Sequence, residues 1–174
     1  MISVNNDTIN KVDMQGLKQG KWVIHLETLR GEPGFEEEGI FVDGKKEGIW
    51  RRFSLMGDLI GIEQYKWGFR DGKQSYYTPM GALLREEGWR SVNPENPYDT
   101  LEVPDLDNPL VTKTKVVKLE VSELRHGNWI QYDPITGRIV KQERYVNGDK
   151  IVSSAPGGSA VRNTSGGMIA GKGT

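Results

Sequence analysis

From residue 44 to residue 91 the chain alternates aromatic and β-branched side chains with charged ones in short runs. "LIGIEQY" (59–65) and, further on, "RIVKQERY" (138–145) show the pattern most clearly. A two-residue alternation predicts strands with one face turned away from water. The runs are separated by "SLMGD" (54–58), "TPMGA" (78–82) and "DPITGR" (133–138). In each of these strings a glycine can supply the positive φ of a hairpin turn. A helical reading fares badly, because glycines every few residues would cost about 1 kcal/mol each against alanine.

The pattern is also a repeat. The segments "GLKQGKWVIH" (16–25), "GKKEGIWRRF" (44–53), "GFRDGKQSYY" (68–77) and "ELRHGNWIQY" (123–132) align column by column. Paired glycines fall at Gly16/Gly20, Gly44/Gly48 and Gly68/Gly72, with Gly127 alone in the fourth. A basic column holds Lys18, Lys46, Arg70 and Arg125. A Trp column holds Trp22, Trp50 and Trp129, with Gln74 as the exception, and a ring column holds His25, Phe53, Tyr77 and Tyr132. The second half of each unit aligns on Gly57, Gly81 and Gly137, then on Leu59, Leu83 and Ile139, then on Glu63, Glu87 and Glu143. It ends on Tyr65, Trp89 and Tyr145, with Phe41 in that aromatic column of the first unit. Asn147-Gly148-Asp149 begins a fifth unit that is not completed.

Each unit therefore reads as a β-hairpin, with Gly-x-x-x-Gly joining one hairpin to the next. Leu59, Glu63 and Tyr65 share a parity and are expected on one face. The Trp and ring columns sit three apart, so either a bulge re-aims one of them or both faces carry aromatics. A lone hairpin is marginal, so the aromatic columns are expected to stack along the array.

The frame Gly-x-[Lys/Arg]-x-Gly-x-Trp-x-x-[Phe/Tyr], followed by a Gly turn and Glu-x-[Tyr/Trp], resembles the MORN-repeat family. More narrowly it resembles the bacterial variant often labelled antitoxin-like. The likeness covers about residues 13–91 and 122–150, and departs at Gln74, at Glu123 and in the longer first unit, "RGEPGFEEEG". It implies an all-β fold: an elongated, meandering array of antiparallel β-hairpins. The family's name implies membrane or lipid association through a basic repeat face, and the variant's label implies binding of a toxin partner.

Around the repeats, residues 1–12 form an N-terminal extension, 13–91 carry repeats one to three and 122–150 carry repeat four. The segment 92–121 is a Pro-rich insertion in which "TKTKVVKLEVS" predicts one strand leading into the fourth repeat. Residues 151–174 are rich in Gly and Ser with few large side chains, a composition expected to be disordered unless a partner orders it.

Composition narrows the function classes. The net charge of −1 supplies no global field for nucleic acid or an anionic membrane, and no stretch approaches the ~18 apolar residues of a membrane span. The absence of Cys excludes thiolate catalysis and Cys-ligated metals. The opening run "MISVNNDTINKVDMQG" lacks a basic n-region and an apolar h-region. The default expectation is a cytoplasmic chain, with a mature exported form as the alternative.

No catalytic, metal or cofactor residue is expected. The only histidines, His25 and His126, lack the company of a metal or nucleophile site; His25 is expected to pack and His126 to be solvated. Glu63, Glu87 and Glu143 recur at the repeat period and are expected to serve the fold, pairing with bases such as Arg85 or Arg144. The basic column is read as keeping turn surfaces soluble. Gly166-x-x-x-x-Gly171-Lys172 has most of a phosphate-loop pattern, but Gly173 stands where a hydroxyl is needed and no strand is expected before it, so no nucleotide site is expected.

The expectation is a non-enzymatic scaffold or interaction subunit with a protein partner and no small-molecule substrate. Contact residues are sought where the frame fails or offers spare aromatics: Trp67 and Trp89 first, with Tyr98, Arg162, Met168 and Ile169 in the insertion and tail. The repeat-structural set is Gly16, Gly20, Trp22, Gly44, Gly48, Trp50, Gly57, Gly68, Gly72, Gly81, Gly127, Trp129 and Gly137.

Overall fold

A computed structural model describes residues 9–105, 107–108, 110–152 and 161–163. The repeats form one antiparallel sheet of 13 strands, largely in chain order. Its main strands are β2 (Lys18–Leu26), β3 (Phe35–Val42), β4 (Lys45–Ser54), β5 (Leu59–Lys66), β7 (Gly72–Tyr77), β8 (Leu83–Ser91), β12 (Gly127–Tyr132) and β13 (Ile139–Val146). Shorter pieces complete it: β1 (Lys11–Val12), β6 (Phe69–Arg70), β11 (Glu123–Arg125), β14 (Asp149–Val152) and β15 (Val161–Asn163). The hairpin tips use their glycines as expected. Gly57, Gly81 and Gly137 take φ of 91°, 83° and 68°, and each donates its N–H back to the residue that opens the turn.

Two expectations about the insertion and tail are corrected. The insertion holds two strands rather than one. Tyr98–Pro104 (β9) pairs with Thr112–Lys118 (β10) over seven positions as a sheet of its own. The alternation of "YDTLEV" was hidden by Pro97 and Pro104, which instead bound the strand. The boundary drawn at residue 150 falls inside β14, and Val161–Asn163 returns to pair with it. Arg162 lies in β15, but its side chain, like Met168, Ile169 and the Gly166–Lys172 string, lies outside the described residues.

Cross-strand partners fix the faces. Trp50 pairs with Glu63, Gly48 with Tyr65 and Arg52 with Gly61, so these side chains share one face. The register then slips by one, and Phe53 meets Leu59. The same slip recurs at Tyr76/Tyr77 and Gln131/Tyr132, leaving Ile60, Leu84 and Val140 as the extra residues. The slip turns Leu59 onto the face opposite Glu63 and Tyr65, against the parity expectation. Both faces therefore carry aromatics, the Trp column on one and Phe53, Tyr77 and Tyr132 on the other.

The Trp face holds the core. Ring centroids run Trp22–Phe41 at 5.6 Å, Phe41–Trp50 at 4.9 Å and Trp50–Tyr65 at 6.4 Å, then Trp89–Trp129 at 5.1 Å and Trp129–Tyr145 at 5.7 Å. Most meet edge to face, worth about 0.5–1.5 kcal/mol per pair beyond burial. The basic column does not simply keep turns wet. Lys18 lies over Trp22, Lys46 over Trp50, Arg70 over Trp89 and Arg125 over Trp129, at 3.5–4.6 Å. A single-layer sheet cannot cover its rings with a second layer, and the basic side chains do so instead.

The second glycine of each pair lies in a strand rather than in a turn. Gly48, for example, takes φ of 69° inside β4. Backbone pairing of β3 and β4 jumps there from Glu38↔Arg51 to Ile40↔Glu47. The Trp50 indole fills the gap, its Nε1–H donating to the Ile40 carbonyl at 3.2 Å. Trp129 donates in the same way to Gly88 at 2.8 Å. Gln74, the exception in the column, is fully buried and has the same role. Its Nε2 donates to the Gln64 carbonyl at 3.0 Å while its Oε1 accepts from the Gln64 N–H at 2.8 Å.

Trp50 lies against Gly39, where a Cβ would stand 2.3 Å from the indole ring. Gly39→Ala should therefore destabilise the protein by about 1–3 kcal/mol in urea unfolding, as overpacking of a rigid site does. An unchanged midpoint would contradict this packing.

Candidate functional site

The inter-hairpin turns line one edge of the sheet. Three of them place a non-glycine residue at positive φ just before a glycine: Asp43-Gly44, Trp67-Gly68 and Asn147-Gly148, at φ of 50°, 56° and 51°. Asp-Gly and Asn-Gly are the favoured pairs for a two-residue hairpin turn, because their short polar side chains tolerate this region. Trp67 has no such excuse, and a bulky residue there costs about 1–2 kcal/mol. It is held by its own N–H, which donates to Glu47 Oε2 at 2.9 Å, and by Lys66, whose ammonium lies 4.4 Å from the ring centroid.

The insertion folds back beside this turn. Its ends meet at Val92 N–H donating to the Ser122 carbonyl at 2.9 Å, while β11 pairs with β8 and β12 continues the sheet. The array thus runs on as though 93–121 were absent. Glu123, which stands where the frame has glycine, accounts for the departure. Its carboxylate accepts from the Arg70 backbone N–H at 2.7 Å and from Nε at 2.9 Å, with Nη2 on the same oxygen as Nε. This charge-assisted fork fastens unit four to unit three across the insertion.

Between the turn edge and the insertion lies a groove of about 670 Å³. Phe41, Trp67 and Phe69 form one wall; Val92, Pro94, Pro97, Leu119 and Val121 form the other. A second recess of about 270 Å³ brings Trp67 together with Tyr98, Arg90 and Leu119. Tyr98 is 56% exposed. The structure thus places Trp67, Tyr98 and the ends of the insertion around one concavity. Trp89 lies apart from this concavity, half-buried, with its ring packed against the Arg70 guanidinium and Trp129. Phe41 and Phe69 were missed as groove residues, the first because it fills a repeat column. The lone signal for Phe69 is an aromatic in a column that elsewhere holds Leu17, Lys45 and Leu124.

The recurrent acids serve the fold, as the repeat period suggested. Glu63 accepts from the Tyr65 and Tyr76 hydroxyls at 2.8 and 3.0 Å and lies 3.4 Å from Arg52. Burial, and then the Glu63 charge, push both tyrosine pKa values up. Glu87 pairs with Arg85 at 2.8 Å as expected. Glu143 takes Lys150 and Lys141, at 2.7 and 3.1 Å, rather than Arg144, which as its chain neighbour faces the other side. Glu37, hidden in an acidic run, is buried beside Lys46 at 2.6 Å. His25 does not pack. It is exposed between Glu36 and Glu27, each at 3.0 Å, and its pKa is raised chiefly by the Glu36 hydrogen bond. His126 is exposed as expected. Among the described residues no group of three His, Asp or Glu side chains is placed to hold a metal.

The chain matches no family model, no curated protein and no solved structure.

Arg90 tethers the insertion hairpin to the array, donating to Asp99 at 2.7 Å and to Asn147 at 2.8 Å. That hydrogen bond, followed by the Thr100 N–H, holds the Asp99 carboxyl below its ordinary value of 3.8. A lowered folded-state value means the tether contributes fully above pH 3.8 and is lost as pH falls through the lower one. A carbon-detected NMR titration should find the Asp99 midpoint below 3.8, returning towards it in Arg90→Ala. An unshifted midpoint in the unmutated chain would remove the tether.

Proposed function

We propose that the chain is a non-catalytic interaction module, a MORN-like hairpin array that presents the Trp67 groove to a protein partner within a larger assembly. The observation that carries the reading is the Trp67 backbone. Equivalent turns use Asp43 and Asn147, residues suited to positive φ, whereas this one keeps a tryptophan at a cost. Its ring adjoins two concavities and covers no repeat column. A large, semi-rigid aromatic held beside an apolar cleft is the side chain most often dominant in protein–protein contacts.

The alternatives implied by the resemblance draw less support. A lipid-binding basic face would need free cations, but the four basic-column residues lie over rings, and Lys46 and Arg70 are also ion-paired. Binding of a toxin is a special case of a protein partner, and the same groove would be its first candidate surface.

The test exploits the turn chemistry. Trp67→Asn supplies the residue that the turn prefers, so the thermal midpoint should hold or rise, by up to about 1–2 kcal/mol of stability. Partners co-purifying with the native protein from its own host should be lost with the same change. A variant that melts earlier would make Trp67 a structural residue, and retained partners would move the contact elsewhere.

A further inference from the structure

We infer that the groove takes an extended peptide segment of the partner that alternates apolar with acidic side chains; this rests on the groove reading above and names what the groove recognises. The conformation follows from the insertion wall. Between β10 and β11 the chain runs on without strand pairing. Among the described residues, neither Glu120 nor Val121 makes a backbone hydrogen bond, although the Leu119 N–H before them and the Ser122 carbonyl after them are both used. Both residues are exposed and line the groove. A run of free main-chain donors and acceptors beside an apolar cleft suits a strand laid alongside it. The peptide main chain satisfies the wall, and alternate side chains enter the cleft.

The side-chain chemistry follows from the opposite wall. Trp67 and Phe69 line the groove as apolar contacts for the peptide's inward side chains. Lys45 stands beside them, exposed and without a carboxylate partner among the described residues, and the Lys66 ammonium lies over the Trp67 ring. Lys45 lies on the turn-edge wall of the groove and its single lining carboxylate, Glu120, on the insertion wall, while Lys66 lines the adjoining recess together with Asp71. An apolar side chain between the rings therefore sets the outward residues beside ammonium groups, where an acid is favoured and a base is repelled.

The test uses the full chain and fluorescein-labelled peptides of about eight residues. They alternate leucine with aspartate, serine or lysine, and each carries one central proline against self-pairing. Fluorescence anisotropy should rank aspartate above serine above lysine, the first and last differing by about tenfold or more at low salt. Lys45→Glu should reverse or flatten that order, and Trp67→Asn should weaken all three, with circular dichroism showing both variants folded. If the three peptides bind alike and Trp67→Asn weakens them equally, the acidic preference is overturned and the groove reading stands. If no peptide binds, or Trp67→Asn changes nothing, the groove reading falls with it.

Discussion

Each junction between hairpins depends on one side-chain N–H reaching across a gap in the backbone ladder. The acceptor is the carbonyl one residue before the strand-two aromatic: Ile40 for Trp50, Gln64 for Gln74 and Gly88 for Trp129. The in-strand glycine at positive φ opens that gap, and without the plug a carbonyl would be left unpaired near the core. Leaving such a group unsatisfied costs about 1–3 kcal/mol, a large share of a marginal stability. The constraint explains why glycine and tryptophan keep their spacing. It also explains why the one replacement for tryptophan is an amide, which can donate as an indole does and accept as an indole cannot.

From this plug the rest of the Trp face follows. A single-layer sheet has little interior, and the buried apolar set among the described residues is short: Phe41, Trp50, Tyr76, Val92 and Tyr145. The rings are covered by the methylene stems and charges of Lys46, Arg52 and Arg70, and those cations require Glu37, Glu63, Glu87 and Glu123 beside them. Rings, bases and acids thus form a single repeating assembly. Carboxylates that might suggest general acid–base chemistry are taken up by hydroxyls and guanidinium groups.

The hairpin order, the tip glycines and the stacking columns were legible in the sequence because each is a local pattern repeated several times. The face of Leu59 was not, because a bulge at Ile60 shifts parity without marking the sequence. The covering role of Lys46 and Arg70 was not, because a charge in a glycine-rich string looks like a wet turn. Strand β9 was masked by its own prolines. The groove joins residues 67 and 69 to 92–97 and 119–121, a neighbourhood made by the return of the insertion along the sheet edge, which no spacing announces. Trp67 was legible as a departure. Its meaning sharpened once the backbone showed it in a conformation that its equivalents reach with Asp and Asn.

The chain consists of a repeated hairpin frame and an insertion whose own two strands form a separate sheet beside it. The ends of the insertion already meet at Val92 and Ser122 as a hairpin's would. The direct test is the thermal unfolding of a chain in which residues 93–121 are replaced by Asn-Gly, a turn that joins such a pair without strain. The account predicts one cooperative transition within about 5 °C of the full-length chain, since little of the frame's packing is removed. Loss of cooperative unfolding would contradict it, and would make the insertion part of what holds the array together.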